Sequence, residues 1–366
     1  MRKRVVLGEL CNPSLGQVKE EPDMLIDYID ISSVDNENKS ITGFQTMPFS
    51  EAPSRARKAI KKNNILVSTV RPNLNAVAVY EEETLNKTVV STGFCVLDCK
   101  DNVDYRFVFN FCRSQAFIDD MVSQATGASY PAVSDKIVRS SMLPAYSYEE
   151  QCQISCILDN VSKIIADRKK ELQKLDDLIK ARFVEMFGDQ KTNPYGWQQT
   201  TIGDCCTLKS GTSLPADKEN EGGTIPYVKV GDMNYPGNEQ YITTSSRFVT
   251  EQTAGAGIFP VGTVIFPKRG GAIGTNKKRL TTLPICADLN VMGVTAGSKL
   301  TPPYLMAYFN MVDLGALDNG SSVPQINNKD IAPLVICLPP IELQEQFAAF
   351  VEQTDKSKLK EQNFTY

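Results

Sequence analysis

A chain that repeats itself is constrained to fold as like modules, and this one repeats at long range. The segment from Gly127 to Lys163 aligns without a gap on the segment from Gly320 to Lys356, a separation of 193 residues. Eight positions are identical: Gly127/Gly320, Ser129/Ser322, Pro131/Pro324, Lys136/Lys329, Glu149/Glu342, Gln151/Gln344, Gln153/Gln346 and Lys163/Lys356. Average residue usage would produce about two such matches by chance in a window of this length. Ancestral duplication is the economical reading, and 366 residues suffice for two domains that each bury a core.

Composition narrows the class. With 42% hydrophobic and 22% charged residues the chain is ordinary globular protein, not a disordered one. No apolar run reaches the roughly 18 residues of a membrane helix, and the basic start Met1 to Arg4 leads into Cys11-Asn12-Pro13, without a signal-peptide core. A cytoplasmic protein with no membrane association is expected. The ten cysteines read as free thiols, and without histidine or paired CxxC spacing no metal site is expected. The missing histidine also removes the usual general base. A net charge of −4 argues against an all-over basic nucleic-acid binder but leaves room for a local basic face.

Organisation follows from periodicity. Alternating β-branched runs at Leu25 to Val34, Asn63 to Val70, Asn75 to Tyr80 and Ser91 to Cys99 predict strands, as do Thr224 to Met233, Gly262 to Gly270 and Asn290 to Gly297. Tyr28 to Ile31 answers to Tyr227 to Val230, and Ile65 to Arg71 to Thr263 to Arg269. Amphipathic helices are expected over Tyr105 to Asp119 and Pro303 to Leu317. From Tyr148 to Phe187 there is neither Pro nor Gly, and Leu158, Ile165, Leu172, Ile179 and Met186 fall seven apart, with Ile154, Val161 and Leu175 on a second seam. Arg168 and Arg182 interrupt that heptad. Forty residues of helix span about 60 Å, so the seam must be buried against another helix. A shorter helix is expected from Ile341, with Phe347, Phe350 and Val351 on one face.

Candidate chemistry is sparse. Thr301-Pro-Pro-Tyr304 reads as a proline-capped helix start, because Thr lacks the amide or carboxylate that holds an adenine amino group. The glycine-rich turn Gly270 to Gly274 lacks nucleotide-loop spacing, but Lys268 and Arg269 precede it and Lys277, Lys278 and Arg279 follow it. Backbone amides among five cations suit phosphate oxygens. The first module has Arg71-Pro72 at the matching place and a basic, helix-like run through Arg55, Arg57, Lys58, Lys61 and Lys62. An arginine after the same strand in both copies makes Arg71 and Arg269 base-reading candidates; Tyr130 and Tyr235 read as core or rim.

This arrangement resembles the specificity subunit of type I restriction-modification systems. The family pattern of a Gly-Ser-x-Pro-x-x-x-x-Lys loop, Leu-Pro and a Gln-rich helix start reads here as GASYPAVSDK with LPAYSYEEQ and as GSSVPQINNK with LPPIELQEQ; KLDDLIKARFVEMFGDQKTNPYGWQ resembles the family's junction. The resemblance implies an α+β chain of two mixed α/β target-recognition domains, 1–147 and 188–339. A long conserved helix, 148–187, would join them, and a second, short helix, 340–366, would complete an antiparallel coiled coil. Each domain would read one half of a split target in double-stranded DNA. The helices would set the spacer and dock DNA methylation subunits, with a restriction subunit in the full complex; adenine methylation and ATP-driven cleavage would lie in those partners. The chain itself would be non-catalytic and need no cofactor. Candidate DNA-binding residues are then Arg71, Lys61, Lys62, Lys268, Arg269, Lys277, Lys278 and Arg279. Candidate interface residues are Leu158, Val161, Ile165, Leu172, Leu175, Ile179, Phe347 and Val351. The polar tail from Asp355 to Tyr366 is shorter than the family's second helix, which makes a homodimer through the helices a further expected arrangement. Alternatives are a coiled-coil scaffold without DNA binding and the specificity part of a related bipartite system.

Overall fold

The computed structural model describes residues 3–14, 16–19, 21, 23–82, 84–317 and 323–363. The repeat positions Gly320 and Ser322 and the final residues of the tail lie outside these. The chain divides into two units, Met1–Ala166 and Asp167–Tyr366, the boundary falling inside the helix Tyr148–Phe187. The helix is thus shared between the units and is not a segment apart.

In unit 1 a four-stranded sheet runs Gln45–Pro48, Leu25–Ile29, Lys87–Ser91, Ala56–Ala59, with its two central strands parallel. An antiparallel three-stranded sheet runs Phe94–Leu97, Ile65–Ser68, Val77–Val79. The apolar run Ile65-Leu66-Val67 is buried on both faces, and the two-residue period of a strand sends its side chains opposite ways. Ile65 and Val67 meet Phe107, Phe117 and Leu143 in one core, while Leu66 meets Ile29, Val90 and Phe94 in another.

Unit 2 is built alike. The strands Phe248–Val249, Ile225–Val228, Ile285–Ala287 and Ile258–Phe259 form one sheet, again with a parallel central pair. Cys206–Ser210, Val291–Ala296, Thr263–Pro267, Arg279–Thr281 and Tyr241–Ile242 form the other. Val264 and Phe266 point into the helical core and Ile265 toward the facing sheet, repeating the alternation of unit 1.

The repeat holds in detail. Helices Asp135–Ser140 and Asn328–Ile331, strands Met142–Pro144 and Val335–Leu338, and helices Tyr148–Phe187 and Ile341–Asn363 begin 193 residues apart. Each of the two strands pairs antiparallel with the strand that opens its unit, Arg4–Val6 or Gln198–Thr201. The matched glutamines do the same work. Gln151 Oε1 accepts from the Asp104 amide at 3.0 Å while its Nε2 donates to the Tyr146 carbonyl at 3.0 Å. Gln344 Oε1 accepts from the Thr301 amide at 2.8 Å, and its Nε2 donates to the carbonyls of Lys299 and Pro339 at 3.0 and 2.9 Å. Asp104 and Thr301 are themselves the N-caps of helices Tyr105–Cys112 and Pro302–Met311. One buried side chain per unit therefore ties the helix Tyr148–Phe187 or Ile341–Asn363 to the helix start above the sheet and satisfies the cap amide there.

Three expectations need correction. The helix expected over Tyr105 to Asp119 is broken: it ends at Cys112, and Ser114 caps a new one, Gln115–Gln124, by accepting from the Phe117 amide at 3.3 Å. Its counterpart ends at Met311 and is followed by a separate 3-10 turn, Gly315–Leu317. The basic run from Arg55 to Lys62 is a strand, Ala56–Ala59, and a turn, because Ala56 and Ala59 pair with the Lys87–Ser91 strand.

Within unit 2 the long helix pairs antiparallel with Ile341–Asn363. Phe347 meets Phe183 and Phe187, each at 5.5 Å between ring centroids; Arg182 lies over Phe350; Lys358 reaches Asp176 at 2.7 Å. Tyr304 closes the cluster 4.8 Å from Phe187. The long helix stops at Gly188, whose φ of +75° only glycine adopts cheaply, and the Trp197 indole N–H satisfies the Phe187 carbonyl at 3.1 Å.

Candidate nucleic-acid interface

The matching corner of each unit is a turn at the end of the central strand. In unit 1 the chain leaves Ile65–Ser68 and is held to the segment after Tyr130 by two backbone bonds: the Val133 amide to the Thr69 carbonyl at 2.9 Å and the Arg71 amide to the Pro131 carbonyl at 2.7 Å. In unit 2 the Ile326 amide donates to the Lys268 carbonyl at 2.9 Å and the Gly270 amide to the Pro324 carbonyl at 2.8 Å. Isolated bridges join Val70 to Ala132 and Arg269 to Gln325. These bonds set the alignment, and they correct the sequence match by one residue. Arg71 corresponds to Gly270, and Arg269 to Val70. Both Arg71 and Gly270 have positive φ, +49° and +74°, but their ψ differ: +61° places Arg71 in the left-handed helical region and −170° places Gly270 in a glycine-only extended one. A one-residue slip is invisible in apolar strand ends but reverses the face on which a side chain stands.

The candidate cations separate into two groups. Arg71, Lys62 and Arg269 are exposed. The Arg71 guanidinium lies 5.0 Å above the ring of Tyr130, itself 69% exposed and so on the surface. Lys61 is exposed but ion-paired at 2.9 Å with the buried Asp98, which also takes bonds from Asn12 and Asn64. The others are engaged within unit 2. Lys268 donates to the Ser210 hydroxyl at 2.9 Å, and burial followed by the adjacent Arg269 pushes its pKa down. Lys277 bonds the Asn234 side chain.

Lys278 is 4% exposed and donates to Asn276 Oδ1 and the Val312 carbonyl, both at 2.7 Å; desolvation pushes its pKa down to about 8. Arg279 spends its guanidinium on the carbonyls of Met233, Asn238 and Lys278. Lys278 and Arg279 are hence structural cations, and the reading of five phosphate-facing charges is corrected. In unit 1 Lys58 is likewise engaged, with Asp135 and the Phe94 carbonyl, both at 2.6 Å.

The helix residues divide similarly. Ile179, Phe347 and Val351 lie in the core of unit 2, where the long helix is buried against Ile341–Asn363, which takes them out of the candidate subunit interface. Leu172 and Leu175 are half-buried, while Leu158, Val161 and Ile165 are 39, 47 and 42% exposed and leave an apolar stripe in solvent. Sequence reading missed the polar lock beside them. Lys358, 7% exposed, bonds Asp176, Asp355 at 3.0 Å and Gln240 at 3.2 Å, and Asp355 accepts from the Tyr241 hydroxyl. The i,i+3 spacing of Asp355 and Lys358 was its only sequence signal.

Thr301 caps its helix by accepting from the Tyr304 amide at 3.4 Å, and the Tyr304 hydroxyl is buried against the Cys337 carbonyl at 2.9 Å, so this tyrosine faces no substrate. Among the described residues no group of histidine, cysteine or carboxylate side chains is placed to hold a metal ion. Among the described residues no helix is long and apolar enough to cross a membrane.

The family described as "Type I restriction modification DNA specificity domain" matches residues 194–363. The chain is 21% identical over 321 residues to the type I restriction enzyme MjaIX specificity subunit of Methanocaldococcus jannaschii, covering 81% of this chain and 73% of that one. The second half of the chain thus matches the specificity-domain family, and most of its length is similar to a type I restriction specificity subunit. A second specificity subunit, HindI of Haemophilus influenzae, is 27% identical over 142 residues, covering 38% of this chain and 31% of its own. Two solved structures share the fold of this chain. One, from a study of assembly and conformational transition of the type I R-M system, has a TM-score of 0.54 at 22% identity and covers 99% of this chain and 95% of that one. The other, the S subunit from M. genitalium, has a TM-score of 0.55 at 14% identity and covers 100% and 92%.

Proposed function

We propose that this chain is the DNA sequence-recognition subunit of a type I restriction-modification complex, itself non-catalytic, with unit 1 and unit 2 each reading one half of a split target. The observation that carries the reading is the doubled corner, built on the same hydrogen bonds in two like units that share one uninterrupted helix. Two readers on one helix favour half-sites at a fixed spacing on the duplex. Arg71, Lys62 and Arg269 are the side chains proposed to face DNA, whereas Lys61 is already paired with Asp98. The modification subunits, which carry adenine methylation in this proposal, would cover the stripe of Leu158, Val161 and Ile165, with a restriction subunit completing the complex.

Mapping methylated adenines after co-expression of the chain with its modification subunit tests this. A motif of two defined halves around a fixed spacer is expected. A motif with one half only, or methylation independent of this chain, would overturn it. Charged substitutions at Val161 and Ile165 should prevent co-purification of the modification subunit while leaving the chain folded.

A further inference from the structure

We propose that Arg71, resting on the Tyr130 ring, reads a guanine in the half-site of unit 1, and that unit 2 reads its half-site without a counterpart at that turn position. The inference rests on the DNA-reading function above and deepens it. Four observations converge on it. First, the hydrogen-bonded turn position has positive φ in both units, and unit 2 fills it with a glycine, Gly270, at φ +74° and ψ −170°. Unit 1 places an arginine there at φ +49°, a conformation that costs stability for any residue with a Cβ and is common where a side chain must be aimed.

Second, that side chain is not spent on holding the fold: it is exposed, and among the described residues no carboxylate is ion-paired with it. Lys61, close by in sequence, has Asp98. Third, Tyr130 is a largely exposed aromatic whose ring lies beneath the guanidinium at 5.0 Å. A guanidinium that uses its flat face on a ring keeps hydrogen-bond donors for another partner. Fourth, the two residues are 59 positions apart in the chain and are joined by the bond from the Arg71 amide to the Pro131 carbonyl, so the pair is a product of the tertiary fold.

An exposed bidentate donor fork matches O6 and N7 of guanine in the major groove. At the equivalent corner of unit 2 stand Gly270 and Val323, which offer neither fork nor ring. Arg269 stands one residue earlier and on the other side of the strand.

The test uses the full chain with its modification subunit and compares methylated motifs genome-wide for the unaltered chain, Arg71→Gly, Arg71→Lys and Tyr130→Phe. Arg71→Gly is the informative variant because glycine accepts the turn, so loss of function cannot come from misfolding there. The unaltered motif should contain a guanine that becomes degenerate in Arg71→Gly, with discrimination at that one position falling on the order of 10- to 100-fold. Arg71→Lys should not restore it, since a point charge lacks the fork, and Tyr130→Phe should retain it. An unchanged motif in Arg71→Gly overturns the inference. So does a uniform loss of methylation at all sites, which marks a phosphate contact. No motif from the unaltered chain would overturn the DNA-reading function itself, a result separable from either.

Discussion

Unit 1 and unit 2 agree where they are buried and differ where they are wet. Gln151 and Gln344 satisfy the same helix-cap amide from the same position, and each is surrounded by protein. At the exposed turn, the same backbone bonds carry Arg71 in one unit and Gly270 in the other. The contrast has a physical cause. A buried amide that loses its partner costs stability at once, whereas a solvent-facing side chain is free to differ as long as the backbone can adopt its dihedrals. The scaffold is thus held twice by one solution, and the reading corner is open to two.

The long helix repeats the contrast along its length. In unit 2 Phe183 and Phe187 are fully buried with Phe347 and Tyr304, while nearer its start Val161 and Ile165 lie in solvent. The largest expected effect is there: Phe347→Ala should destabilise unit 2 by about 3–5 kcal/mol. Denaturant unfolding followed through Trp197, on unit 2, would show it, and a cost below about 1 kcal/mol would mean that the aromatic cluster is not packed as described.

Next come the glutamines. Gln344→Leu strands one amide and two carbonyls, and Gln151→Leu one amide and one carbonyl. Each should cost about 2–4 kcal/mol, with Gln344→Leu the larger. The same unfolding experiment ranks them; the opposite order breaks the equivalence of the two ties.

The turn comes third. Gly270→Ala should cost about 1–2 kcal/mol, because a Cβ at that dihedral is strained even in open space, whereas Arg71→Gly should leave thermal stability nearly unchanged.

A pH series sharpens the comparison further. Burial pushes the thiols of Cys95 in unit 1 and Cys206 in unit 2 up to about 12. Unfolded thiols ionise near 8.5, so over about pH 8.5–12 the unfolded state holds fewer protons and stability falls as pH rises. Cys95→Ala should flatten the alkaline decline of unit 1 and leave that of unit 2, read by hydrogen exchange in each. The smallest effect belongs to Val161→Ala, which should change stability by less than about 0.5 kcal/mol while weakening capture of the modification subunit.

Much was legible in the sequence because it depends on local pattern and on the duplication. The uninterrupted run from Tyr148 to Phe187 announced its helix, and the offset of 193 announced matching strands and helix starts. Strand runs such as Ile65 to Val67 were readable from side-chain type, since branched residues buried on both faces leave few other options. The break at Arg113-Ser114 was not, because an amphipathic stripe passes through a cap residue without changing period.

What only the tertiary structure decided is which charges are available and which residues are partners. Lys278 and Arg269 are indistinguishable as members of a basic cluster, yet one is buried against the Val312 carbonyl and the other faces water. Arg71 and Arg269 look equivalent by spacing, yet cross-strand bonds to Pro131 and Pro324 shift them by one position. Periodicity is a property of neighbours along the chain, and so the sequence by itself determined the elements and their duplication. Burial, register and the meeting of Arg71 with Tyr130 are properties of neighbours in space, and they were settled only when distant segments paired.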